Sequence, residues 1–498
     1  MALQFTAGQT VFDDHTLLLE GANALGFARR GGSDYLIVGA GAVGALSVLE
    51  RLADGSFVLK SEIPYSSDSG TRVLNDIATF SFGAALHVQV AGRRDDNSTT
   101  YRLEDDGSLT TLGQFGGVAA AIKWSELALS GSGTSTVLTV AQWGIAGLQR
   151  FTLDADGVPE HLDTRPDAAG PYLGDVTAME VATLFGTEFL AVASALDSGL
   201  QLFALDGTGV PELRGSIAPG PDSPFGQPTA LDLVDHGPRA FAILAAHGTD
   251  SLTVLRVSSG GKLNPADHLL DDLVTRFGAP SVLDHVTYQG RVLVVAGGAD
   301  GGMTLLELSP LGDLFPHAVV IDDFDLALGG LSDMVLELRG SLLHIWVTSE
   351  TEHGLTELRV DLSGLAAPIR GGTGNDVLHG SASDDFIFGH GHKDMIYGHG
   401  GDDMLVDGRG RDALWGGPGD DLFIFVPDGS IDRIHDFEIG RDRIDLSDYG
   451  LHGMGSVVIE DRPLGVSIWA DGDLLRVDAA PGTDLTPGLF EADDFIFG

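Results

Sequence analysis

Between Gly371 and Ile424 aspartate returns every nine residues. The run divides without insertion into six nonamers, GGTGNDVLH, GSASDDFIF, GHGHKDMIY, GHGGDDMLV, DGRGRDALW and GGPGDDLFI. Their sixth residues are Asp376, Asp385, Asp394, Asp403, Asp412 and Asp421, and the eighth place is always apolar: Leu378, Ile387, Ile396, Leu405, Leu414 and Phe423. Glycine fills most of the leading places, at Gly371, Gly372, Gly374, Gly389, Gly391, Gly398, Gly400, Gly408, Gly410, Gly416, Gly417 and Gly419. Glycine allows positive φ and lets carbonyl oxygens turn toward one point, the aspartate adds a carboxylate, and hard oxygen ligands of this kind suit calcium. The eighth residue is expected to point inward. Ten aspartates face only three basic residues here, Lys393, Arg409 and Arg411, so without metal the segment repels itself and is expected to stay disordered. A flexible linker would keep no nine-residue register.

The array resembles the repeats-in-toxin (RTX) family pattern G-G-x-G-x-D-x-U-x, a calcium-binding repeat. The resemblance implies that two nonamers make one turn of a parallel β-roll. Ions would then lie between repeats two apart, pairing Asp376 with Asp394, Asp385 with Asp403, Asp394 with Asp412 and Asp403 with Asp421. The second repeat departs from the pattern at Ser381 and Ser383 and the third at His390, so those turns are expected to bind more weakly. His379, His390, His392 and His399 raise the question of zinc, but they show no fixed spacing, and the thiol-free, oxygen-rich set favours calcium. The following stretch, Phe423 to Gly450, resembles the segment that caps the roll in serralysin-type secreted proteases, at Asp436, Phe437, Asp442, Ile444, Asp445, Leu446 and Ser447. The final FEADDFIFG is similar to the uncleaved C-terminal signal of proteins exported by type I systems.

Upstream, a different repeat governs. An apolar strand ending in a small residue recurs at YLIVGA, LHVQVA, VLTVA, FLAVAS, FAILAA, VLVVAG and LHIWVT. The terminal residues Ala40, Ala91, Ala141, Ala193, Ala245, Ala296 and Thr348 are separated by 51, 50, 52, 52, 51 and 52 positions. Four short strands per unit of about fifty residues is the pattern of a propeller blade, and seven units predict a seven-bladed β-propeller. The seventh unit lacks its fourth strand, whereas HTLLLEG before the first unit reads as one; residues 15–21 are therefore expected to close the ring. Gly39, Gly41 and Gly44, with Glu62 beyond, fit a dinucleotide-binding fingerprint. The other six units keep the strand without that triplet, so a glycine-rich hairpin with no cofactor is the expectation.

The predicted architecture is all-β: a propeller over residues 1–365, a calcium-stabilised parallel β-roll over 366–425, and a cap with secretion signal over 426–498. Composition agrees. With 72 acidic and 28 basic residues the formal charge is −44, which disfavours nucleic acid and anionic membranes and favours a cation sink. Cysteine is absent, excluding disulfides and thiolate metal sites. No Lys or Arg precedes Arg29 and no apolar run follows Met1, so no cleavable N-terminal signal is read. The most apolar stretch, Tyr35 to Leu49, is broken by glycines and too short to span a membrane.

Calcium and export fit together through linkage. In a calcium-poor cytoplasm the array stays unfolded and passes an exporter; outside, extracellular-type sites with Kd of about 10⁻⁴–10⁻³ M fill and folding follows. The expected location is extracellular, in solution or at the cell surface. Acidic residues recur on the expected innermost strands, at Asp76, Glu126, Glu180, Asp232, Asp284 and Asp333. Two readings of the propeller stay open. The favoured one is a non-catalytic module binding an extracellular ligand of unspecified kind; the other is a secreted lactonase- or phytase-like hydrolase with a metal at the channel mouth. H-E-x-x-H and G-x-S-x-G motifs are absent. Convergence of Asp76, Glu126, Asp284 and Asp333 on one point would favour the hydrolase.

Overall fold

In the computed structural model the described residues are 3–497, except 14–16, 65–73, 93–97, 116–123, 132–134, 143–144, 167–172, 206–210, 222, 238, 273–274, 324, 447–448, 450 and 452. Two compact units divide the chain, one containing the propeller sheets and the other the residues from Asp361 onward.

Seven four-stranded antiparallel sheets form the propeller. Six are built from consecutive strands within residues 22–63, 74–115, 124–166, 176–217, 228–270 and 282–321. The second strand of each is the recurrent apolar one, buried on both faces, as in Phe241–Ala246. Apolar clusters lie between neighbouring blades: one joins Leu202 and Phe189 to Leu233 and Leu244, and the next joins Phe241 and Val254 to Val294 and Leu306. Hence no blade completes a core alone, and the ring must close.

Closure comes from a different segment than the sequence pattern suggests. The seventh sheet takes three strands from residues 331–361 and its fourth from Phe5–Phe12, which runs antiparallel to Gly354–Asp361 with Phe5 opposite Val360 and Phe12 opposite Gly354. The expected 15–21 segment does not supply it. Residues 15–16 lie outside the described residues; Leu17 and Leu19 are buried against Leu25, Leu36, Trp346 and Leu355. The N–H groups of Leu18 and Leu19 go to the carboxylates of Glu62 and Asp13. Leu17 and Leu19 thus form a plug between the first and last blades. The true closing strand is disguised by a register shift between Ala7 and Thr10, which breaks its alternation at Gly8 and Gln9.

Gly39, Gly41 and Gly44 belong to the hairpin between Ser33–Ala40 and Ala45–Arg51. Gly44 takes φ of +70° in the turn, and Glu62 accepts from Leu18 N–H and Ser47. The fingerprint is a blade turn.

The second unit is a β-solenoid of about four turns. Three-residue strands alternate between two parallel sheets, so that Val377–His379 pairs with Met395–Tyr397 and Phe386–Phe388 with Met404–Val406. Ile387, Ile396, Leu405, Leu414 and Phe423 stack in its core, fully buried. Ile431–Phe437 and Arg443–Asp445 extend the two sheets. A hairpin then returns through Asp473–Ala479, and Phe495–Ile496 pairs with Arg443–Asp445.

Candidate metal centres

Each turn of the roll places an aspartate behind the next in a ladder. The N–H of Asp376 donates to Oδ1 of Asp394 at 2.8 Å, that of Asp385 to Asp403 at 2.8 Å, that of Asp394 to Asp412 at 2.7 Å, and that of Asp403 to Asp421 at 2.9 Å. These are the four pairs implied by an 18-residue repeat. The ladder runs two steps further into the cap, from Asp412 to Asp432 at 2.8 Å and from Asp421 to Asp442 at 3.1 Å. Asp436 accepts from Gly416 and Gly417 N–H, tying a second expected cap residue to the last nonamer. Ser447 lies outside the described residues.

The second carboxylate oxygens differ along the column. Those of Asp376 and Asp385 accept from the N–H of Gly372 and Ser381. Those of Asp394, Asp403, Asp412 and Asp421 are buried with no hydrogen-bond partner. A buried carboxylate oxygen without a partner costs several kcal/mol unless a cation faces it, roughly as for any uncompensated buried ion. Burial, reinforced by neighbouring aspartates, pushes Asp403 and Asp412 up to about 7 and Asp421 up to about 8. The donor chemistry, all oxygen, fits calcium.

Glycine at the first place follows from close approach. A Cβ on Gly371, Gly389 or Gly398 would come within 2.4, 2.3 and 2.6 Å of the first-position carbonyl oxygen two repeats on. Gly408, Gly410 and Gly417 adopt φ of +87°, +132° and +98°. At Gly374, Gly391 and Gly400 a side chain would meet nothing closer than ordinary contact, so those glycines are not required by space. His390, His392 and His399 hold φ between +72° and +82° in the turns, left-handed backbone that glycine adopts more easily. His379 Nδ1 and His399 Nε2 come to 3.1 Å, but neither belongs to a convergent set of three ligands among the described residues. Asp385 of the second repeat is arranged like Asp376 of the first, with its second oxygen engaged by a backbone N–H, and Asp394 of the third like its successors.

Two features escaped the sequence reading of the roll: Asp407, which replaces a leading glycine, and Asp432, which follows Asp412 by twenty residues instead of eighteen. With Asp412 they form a buried triad whose ligand oxygens all lie within 4.8 Å. The signal for Asp407 was present as the one acidic first-position residue in the array.

In the propeller all six recurrent carboxylates sit on innermost strands, but at two depths. Asp76, Glu126 and Asp333 lie opposite Ala91, Ala141 and Thr348, at the channel end of their strands. Glu180 and Asp232 lie opposite Ala191 and Ile243, two residues or roughly 7 Å deeper, and Asp284 follows Asp232 by one 52-residue period. The upper tier lines a polar cavity of about 490 Å³ together with Asn23, Thr229 and Ser332. Asp76 Oδ2 accepts from Leu127 N–H of the next blade at 2.7 Å, and Asp333 Oδ2 from Leu25 N–H at 2.6 Å. In the lower tier Asp232 Oδ2 meets His285 Nδ1 at 2.7 Å. Asp232, Asp284 and His285 form the other convergent set of three among the described residues. Of the four carboxylates expected to meet at the mouth, Asp284 belongs to this deeper set, while Asp76, Glu126 and Asp333 belong to no convergent set of three among the described residues. Burial pushes Asp76 up to about 6, Asp284 to about 7, and Glu180 and Asp333 to about 8.

A second ring, also unforeseen, joins the blades. Asn23, Ser125, Thr177, Thr229 and Ser332 are each the extra residue of a β-bulge at the start of an inner strand. A bulge re-aims its side chain out of the ladder. Each donates to a carbonyl of the following blade, at Leu74, Val176, Pro228, Pro280 and Ala22, and Ser281 does the same to Leu331.

Comparison with known proteins bears on the roll. The family model for the RTX calcium-binding nonapeptide repeat (4 copies) matches residues 370–405 and 397–425. Among solved structures, the chain is similar to a putative 6-phosphogluconolactonase from Bacteroides uniformis, with TM-score 0.47 and 16% identity over 60% of this chain and 85% of that one. It is also similar to a functionally unknown protein from Desulfotomaculum acetoxidans, with TM-score 0.45 and 13% identity over 67% and 96%. No curated protein matches the sequence. The chain carries RTX calcium-binding repeats in a β-roll that follows a seven-bladed propeller in the sequence.

Proposed function

We propose that this is an exported, calcium-dependent protein whose β-roll folds on calcium outside the cell and whose propeller serves there as a ligand-binding or adhesion module. One observation carries the reading: Asp394, Asp403, Asp412 and Asp421 are buried, each with Oδ1 on the ladder and Oδ2 without a partner. The ligands are Asp376, Asp385, Asp394, Asp403, Asp412 and Asp421 with the turn carbonyls beside their glycines. The C-terminal tail is the element a type I exporter would read. Phe490 and Phe495 are buried in the cap, so the apolar part of the tail would be accessible only before the cap folds, which would order export ahead of folding. Circular dichroism of the full chain during calcium titration tests the folding switch. β-structure gained on calcium and lost to chelator supports it; a spectrum indifferent to calcium sinks it.

The binding reading of the propeller is supported by the use made of its upper carboxylates, two of which are engaged in joining blades. The hydrolase reading is favoured by one set only, Asp232, Asp284 and His285. Metal-dependent ester or lactone hydrolysis that disappears in His285→Ala would establish it over the first.

A further inference from the structure

The fifth nonamer differs from the other five at its first residue, where Asp407 stands in place of glycine. That place is directed at the carboxylate of its own repeat. A Cβ on Gly398 would come within 2.2 Å of Asp403 Oδ2, on Gly416 within 2.1 Å of Asp421 Oδ2, and on Gly389 within 3.0 Å of Asp394 Oδ2. In the fifth repeat the same direction brings a second carboxylate beside that of Asp412.

Asp407 is fully buried. Its Oδ1 accepts from the N–H groups of Gly408 and Val426 at 2.5 and 3.1 Å, and its Oδ2 has no partner. Asp412 is equally buried; its Oδ1 accepts from Asp394 N–H and its Oδ2 has no partner either. Asp432, the next rung of the ladder, is 5% exposed, and its Oδ1 accepts from Asp412 N–H. Oxygens of the three lie within 4.8 Å of one another. Three carboxylates this close and this buried repel strongly, and no hydrogen bond satisfies the oxygens that Asp407 and Asp412 turn away from the ladder. A cation resolves both problems, and an all-carboxylate set without imidazole or thiolate selects a hard one.

We propose that Asp407, Asp412 and Asp432 form a distinct three-carboxylate calcium site where the roll meets its cap, tighter than the turns that supply two carboxylates. The proposal rests on the reading of the roll as calcium-binding. An added anionic ligand raises calcium affinity, as ligand charge count does in other oxygen sites.

The test is calcium uptake by the full chain in chelator-buffered calcium, for wild type, Asp407→Gly and Asp407→Asn. Asp407→Gly restores the residue the other nonamers use, and Asp407→Asn keeps an oxygen for Gly408 and Val426 while removing the charge. The wild type is expected to hold one calcium that persists at the lowest buffered concentrations. Both variants should lose it, or bind it at least about tenfold more weakly, with the remaining uptake unchanged. If Asp407→Gly fails to fold in saturating calcium, Asp407→Asn alone decides. Variants matching the wild type in number and affinity would overturn the site while leaving the roll's calcium binding intact. Absence of uptake by the wild type would overturn both.

Discussion

The upper-tier carboxylates of the propeller do structural work at an electrostatic cost. Asp76 and Asp333 each accept a backbone N–H from the neighbouring blade, yet burial pushes them up to about 6 and about 8. A carboxyl whose pKa is raised on folding holds its proton more tightly in the native state than in the unfolded chain, where it lies near about 4. Its contribution is therefore fully present below about pH 4 and is lost as pH rises through the folded value. Glu180 and Asp284, raised to about 8 and about 7, add in the same direction. Scanning calorimetry in saturating calcium should show the propeller's melting temperature falling as pH rises from about 4 to about 8 and levelling off above that. Asp333→Asn keeps an oxygen for Leu25 N–H and removes the charge. It should raise stability at pH 8 by on the order of 1–3 kcal/mol and change little at pH 4; equal effects at both pH values would contradict the assignment. The recurrence of these acids was legible in the sequence, because it follows the blade period. Their unequal register from blade to blade was legible too, but not that it sorts them into two tiers, since a two-residue offset inside a strand keeps the same face.

Among the elements, ring closure shows how a pattern can mislead. HTLLLEG reads as a blade's fourth strand by its place before the first unit, but Leu17 and Leu19 fill the seam between the first and last blades. Phe5–Phe12 looks like an irregular polar segment, because the bulge at Gly8 and Gln9 interrupts its period, and yet it completes the seventh sheet. Sequence alternation reports which residues are buried; it does not report which backbone groups pair. Removing residues 1–12 should therefore open the ring by leaving Gly354–Asp361 as an unpaired edge, a template for association between chains. Light scattering on heating should show earlier aggregation of the truncated chain, whereas truncation beginning beyond the roll's core should leave that property unchanged. A truncated propeller that melts and scatters like the intact one would assign closure elsewhere. The bulge residues Asn23, Thr177, Thr229 and Ser332 were readable only as polar residues at blade spacing. Their role appears once the bulge shows that they leave the ladder and reach the next blade.

At the scale of the whole molecule, two periods divide the chain, one of about fifty residues and one of nine, and both were plain in the sequence because a period is a property of spacing alone. They correspond to two ways of holding a fold together. The propeller's apolar clusters draw on residues 17–355 and need no ion. The roll's core, from Ile387 to Phe495, is one apolar cluster flanked by closely spaced carboxylates, so that on the function proposed above cation binding and folding would be one equilibrium. Calcium removal should thus act on one unit. In millimolar calcium the full chain should resist limited proteolysis. In chelator, cleavage should begin within residues 371–445 and proceed to the C-terminus, leaving a stable fragment that ends near Asp361, identifiable by mass spectrometry. Restoring calcium before the protease should protect the array again, at a midpoint that shifts upward when Asp403→Ala removes one rung and the oxygen it turns toward the ion. Loss of both units at the same rate would instead mean that calcium stabilises the chain as one cooperative body, and the propeller would then depend on a metal that none of its own clusters requires.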